Sequence, residues 1–244
     1  MPNIGTLAKA IFDWELSGHE SSTHQKDQAC EHPTDLNCLF LYIVRSMESL
    51  IVAGSWVNLA AEELHKTLLP TTDLDWESKT PDLDWTQAQT AIHTMRACLE
   101  YSYQVVGKRM DTYQPVLFEK KPQAKPIEYL TMISTAAKVL QKVVSSASLD
   151  DRAWHAYGVS DPVGFAAMGV IEVSVHTYDL AKGFGIDFVP NTLASEFAIN
   201  RVFSGTVEFP NFESHGQLLL WLAGRIELSG VARRSGWKWN GTPR

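Results

Sequence analysis

The chain has 244 residues, with 21 Lys and Arg against 28 Asp and Glu, a net charge of −7 and 45% hydrophobic residues. This is enough apolar material for one large domain, or for a main domain with an appendage, and the acidic balance excludes a broad basic surface for nucleic acid or anionic membrane. The three cysteines, Cys30, Cys38 and Cys98, form no CxxC pair, which argues against a disulfide framework or a thiolate zinc cluster and for a reducing, cytoplasmic setting.

Residues 1–35 read as an N-terminal extension: a short amphipathic piece, Leu7 to Leu16, then a polar stretch. Its histidines, His19, His24 and His32, match no compact ligand spacing and are expected in solvated loops. No basic flank, apolar run and small-residue cleavage site opens the chain, and the apolar CLFLYIV stops at Arg45 and Glu48. Neither a signal peptide nor a membrane span is therefore expected.

From an N-cap candidate at Asp35, apolar residues recur at helical spacing through Phe40, Ile43, Met47, Leu50, Ile51 and Val57 to about Leu64. The acidic, proline-containing LLPTTDLDWESKTPDLD reads as a loop. A second helix begins at Asp84 or just beyond, with Trp85, Ala88, Ile92, Met95 and Leu99 on its stripe and His93 on a flank shared with Gln89, Arg96 and Glu100. Met110 to Lys125 reads as irregular, and a third helix runs from about Pro126 to Ser146. A turn through RAWHAYG leads to a fourth helix, with Asp161 or Ser160 as its cap, Pro162 in its first turn, and Gly183 and Gly185 at its end. The expected fold is mainly α: an antiparallel four-helix bundle over residues 36–189. Residues 190–244 should form a small α/β or irregular appendage, with helical pieces at Leu193 to Val202 and Gly216 to Arg225.

The fourth helix, FAAMGVIEVSVHTYDLAKGF, is apolar nearly all round, which predicts burial. Glu172 and His176 stand one turn apart on one face with Asp179 below. Unpartnered burial of an acid and an imidazole costs roughly several kcal/mol, so a compensating partner is expected, a metal ion foremost. Imidazole nitrogen and carboxylate oxygen are donors that zinc and nickel accept. A purely structural pair is the competing reading, and a metal needs a third ligand from elsewhere.

The run RAWHAYGVSDPVGFAAMGVIEVSVHTYDLAKGFGIDF resembles the DinB-like superfamily, particularly its mycothiol-dependent maleylpyruvate isomerase-like branch, in which a carboxylate precedes by four residues the histidine of a VHxxDLA motif. TPDLDWTQAQTAIHTM is similar to the family's TPxxxW segment followed eight residues later by a histidine, and QLLLWLAGRIEL to its LLxxLxGR element; the likeness spans roughly Met47 to the end. The resemblance implies that His93, Glu172 and His176 are metal ligands and catalytic residues around a divalent ion. It further implies a low-molecular-weight thiol cosubstrate, mycothiol-like or glutathione, activated for a transferase or isomerase reaction on a small electrophile. A metal-dependent hydrolase using activated water, and a non-enzymatic or recruited biosynthetic metal- or small-molecule-binding bundle, are the alternatives.

Candidate substrate contacts are Arg225, as a clamp on a carboxylate or a complement to its helix dipole, and His155 with Tyr157, as pocket lining or a packed turn. Asp179 is assigned a structural role, since close approach to His176 along one helix face looks awkward. Cys98 reads as a small core residue. The partner is expected to be a small molecule, with neither nucleic acid nor membrane, and the chain a monomer or homodimer.

Overall fold

The computed structural model describes residues 36–205 and 207–243, with side chains from residue 43 onward. The expectations for residues 1–35, for the cap at Asp35 and for the side chains of Cys30 and Cys38 lie outside the described residues. The described part is mainly helical: α1 (Leu36–Leu68), α2 (Gln87–Gly107), α3 (Pro126–Ser146), α4 (Pro162–Gly183), α5 (Thr192–Val202) and α6 (His215–Leu222). The packing lies within the compact unit formed by residues Val44–Arg244.

The burial pattern follows helical periodicity. In α1 the buried residues are Leu50, Ala53, Val57, Ala60, Ala61, Leu64 and Leu68, spaced as one face, and the helix runs four residues beyond the expected end before Pro70 enters a 3-10 turn. Thr86 caps α2 in a reciprocal box, its hydroxyl accepting from the Gln89 N–H and its own N–H donating to the Gln89 side chain. The proline at the start of α3 and that of α4 each sit in the first turn, where the missing N–H costs nothing.

α4 is the axis of the core: seventeen of its 22 residues are buried. Small residues let its neighbours approach. A Cβ on Gly169 would meet Leu140 of α3 at 2.7 Å and Val57 of α1 at 3.5 Å, and one on Gly54 of α1 would meet the Gln141 carbonyl of α3 at 2.9 Å. α2 packs on α3 and α4, α5 on α4, and α6 on α5 and α4. α2 and α4 run antiparallel, because His93 pairs with His176 while Tyr101, two turns further along α2, pairs with Phe165, three turns back along α4.

The loop between α1 and α2 has its own anchor. Trp76 is buried, donates its indole N–H to the Thr71 carbonyl at 2.9 Å and packs against Tyr129 and Phe184. Beyond α4, α6 stops at Leu222, short of the expected Arg225, because the chain turns at Gly224 with φ of 70°. After α6 the described residues are irregular, with an isolated bridge between Leu228 and Val231 and no strand. The tail returns to the core through the Asn240 N–H, which donates to Val202 at 2.7 Å. No helix among the described residues is long and apolar enough to cross a membrane.

Candidate metal centre

His93 projects from α2, and Glu172 and His176 from α4. Because the two helices are antiparallel and in contact, the three side chains converge. Glu172 Oε2 lies 3.2 Å from His93 Nε2 and 3.4 Å from His176 Nε2, and one ligand atom from each residue lies within 4.8 Å of the others. Around a tetrahedral ion with bonds of about 2.0–2.1 Å, donor atoms stand roughly 3.3 Å apart, so the donor types and both spacings fit a divalent metal. Without an ion, the same approaches are hydrogen bonds in which the carboxylate accepts from both imidazoles.

Two of the three donors are oriented from behind. The Tyr101 hydroxyl donates to Glu172 Oε1 at 3.2 Å, leaving Oε2 to the histidines. His176 Nδ1 lies 2.9 Å from Asp179 Oδ2. Arg225 in turn holds Asp179, with Nε 3.1 Å from Oδ1 and Nη2 2.9 Å from Oδ2. This corrects the purely structural role expected for Asp179: the side chain three residues on does reach the ring, and it fixes Nδ1 as a donor so that Nε2 faces Glu172. Arg225 lines the same cavity, yet the guanidinium edge that a substrate carboxylate would take is given to Asp179, and Nη1 donates to the Ala223 carbonyl. Over the front, the Trp85 ring lies 4.6 Å from that of His93, which is the physical content of the eight-residue spacing between them.

The charges are coupled. Burial opposes ionisation of Glu172, but the hydrogen bonds from His176 and His93 outweigh it and hold the carboxyl well below its usual range. Burial likewise opposes a charge on His176, and the bonds to Asp179 and Glu172 overcome it, raising the imidazolium to about 9. Tyr101 is pushed well above its ordinary value by burial and by the negative charge of Glu172.

The centre opens onto a cavity of about 380 Å³ walled by Trp85, Arg96, Tyr113, Tyr157, Trp237 and Trp239 among others, and lined also by His155. This is a small-molecule volume. Tyr101 was not foreseen from the sequence, although it stands eight residues after His93, two turns along the same face of α2. Trp237 and Trp239 belong to the irregular tail, where no periodicity announces which side chains turn inward. Cys98, as expected, is a core residue, and burial followed by the nearby Glu172 charge pushes its thiol up to about 12.

Fold and centre together define a mainly helical protein with a two-histidine, one-carboxylate cluster at the wall of a polar-aromatic cavity. No family model, curated protein or solved structure matches the chain.

Proposed function

We propose that the chain is a DinB-like four-helix bundle, similar to the mycothiol-dependent maleylpyruvate isomerase-like branch, that holds a divalent metal, zinc or nickel, on His93, Glu172 and His176. It acts as a thiol-using transferase or isomerase on a small electrophile. The observation carrying this reading is the convergence of two imidazole nitrogens, from separate helices, on one carboxylate oxygen at 3.2 and 3.4 Å.

A bound divalent ion supplies the positive charge that lowers the pKa of a thiol or water beside it. The protein's own residues do the rest. Asp179 and Arg225 fix the tautomer and direction of His176, Tyr101 fixes the carboxylate so that one oxygen is offered, and Trp85 covers His93 against solvent. Cys98, buried and held as the neutral thiol, supplies no nucleophile. In this reading the attacking group is exogenous: mycothiol, glutathione or a similar thiol in the favoured case, and water in the hydrolase case.

Protein purified without a metal-affinity tag is expected to contain, or to take up from added zinc or nickel, one ion per chain. His93→Ala and His176→Ala should each lose most of it while retaining the helical circular dichroism signal. Full retention of metal in His93→Ala removes the three-ligand centre. Given metal binding, turnover of an electrophile that requires added thiol supports the transferase, turnover without thiol the hydrolase, and binding with neither a non-catalytic role.

A further inference from the structure

We propose that His155 is a fixed hydrogen-bond donor in this cavity, recognising a neutral oxygen of carbonyl type on the ligand. The ring is 4% exposed and lines the cavity. Its Nδ1 accepts from the Tyr157 N–H at 3.0 Å, which places the proton of a neutral ring on Nε2. Among the described residues that Nε2 has no hydrogen-bond partner, and it is not one of the side-chain atoms sealed from solvent, so it keeps an accessible face on a residue that lines the cavity.

The turn carrying His155 is built to hold it still. Ala153 and Ser160 bridge in both directions at 3.0 and 2.9 Å, the Trp154 N–H donates to the Arg109 carbonyl at 2.7 Å, and Gln104 Nε2 donates to the Trp154 carbonyl at 2.7 Å. The surroundings are rings rather than charges: Tyr101, Tyr113, Tyr157, Phe165 and Trp239 all have centroids within 6.4 Å of the imidazole. Burial pushes the imidazolium down to about 4, so near neutrality the ring offers a proton without a charge. Near neutrality the ring therefore carries no charge to hold a carboxylate, and the guanidiniums that line the cavity, Arg225 and Arg96, are already paired with Asp179 and Glu100. The oxygen that fits is neutral, attached to an unsaturated or aromatic framework that packs among the rings.

This assignment rests on the proposed reading only in taking the cavity as the substrate chamber. It is tested on full-length protein labelled with ¹⁵N-histidine, metal-free and zinc-loaded, by long-range ¹H–¹⁵N spectra. Acetophenone, α-methylstyrene (the same shape without the oxygen) and benzoate serve as probes. Among the neutral Nε2–H imidazoles we expect one, assigned by its loss in His155→Phe, whose Nε2 moves with acetophenone and with neither of the others. Acetophenone affinity in His155→Phe should fall at least tenfold, to that of α-methylstyrene, and His155→Gln, which keeps a donor, should retain the preference for the ketone even if the Phe variant does not fold. An Nδ1–H tautomer, equal binding of acetophenone and α-methylstyrene, or no acetophenone shift at its solubility limit overturns the assignment. Zinc uptake by the same samples separates the two readings: failed uptake with the ketone preference intact sinks the metal centre alone, and the converse sinks His155 alone.

Discussion

Asp179 and Glu172 sit on opposite nitrogens of one imidazole, and both favour its charged form. In the metal-free protein the raised pKa of His176 therefore contributes stability that is fully present below its ordinary 6.5 and is lost as pH rises through about 9. The urea midpoint of metal-free protein should decline across this window, and by less in Asp179→Asn, where the folded value returns towards the unfolded one; equal declines in the two proteins would dismiss the coupling. A metal must displace the same proton, so zinc affinity should climb about tenfold per pH unit up to about 9 and then level off. In Asp179→Asn the levelling point moves towards 6.5, while affinity above pH 9 drops about 10–100-fold through loss of the orienting bond. Competition titrations with a chromogenic chelator read both effects.

At the scale of elements, α4 depends on its first turn. Asp161 accepts from the Gly164 N–H at 2.7 Å through one oxygen and from Arg201 of α5 at 2.8 Å through the other, both side chains being buried. Asp161→Ala removes a cap and leaves a buried guanidinium without its carboxylate, a loss of about 3–5 kcal/mol. Asp161→Asn keeps a cap oxygen and should fall between wild type and Ala in urea denaturation; an Ala variant as stable as wild type would show the pair to be dispensable. The boundaries of α3 and α4, and the cap and proline that set the start of α4, were readable in advance because they depend on neighbours within a few residues. The pairing of Glu172 with His176 was readable for the same reason. His93 was legible only through a resemblance, since its own helix shows it merely as a flank residue. Asp179 was misjudged because a three-residue step closes or fails on side-chain rotamers that sequence spacing does not specify. Arg225 was legible as a clamp on a carboxylate, but not which one, its partner Asp179 lying 46 residues away on α4. The tail is the least legible element: its inward-facing tryptophans are placed by rings distant in sequence, Phe203, His155 and Tyr157, and not by any local period.

For the whole molecule, the centre is a contact between distant parts of the chain, with His93 and Glu172 separated by 79 residues. An unfolded chain gains little from a metal there, because bringing the donors together first requires closing that span. Zinc should bind the folded state with large preference, so free zinc at a hundredfold excess over Kd adds about 2.7 kcal/mol. For a chain of this size, that raises Tm by roughly 5–10 °C, and no such rise should occur in His93→Ala. A comparable rise in that variant would place the ion elsewhere. With zinc held as proposed, the antiparallel seam between α2 and α4 would be a clasp whose strength is set by metal availability, tying the protein's resistance to unfolding to the zinc level of its surroundings.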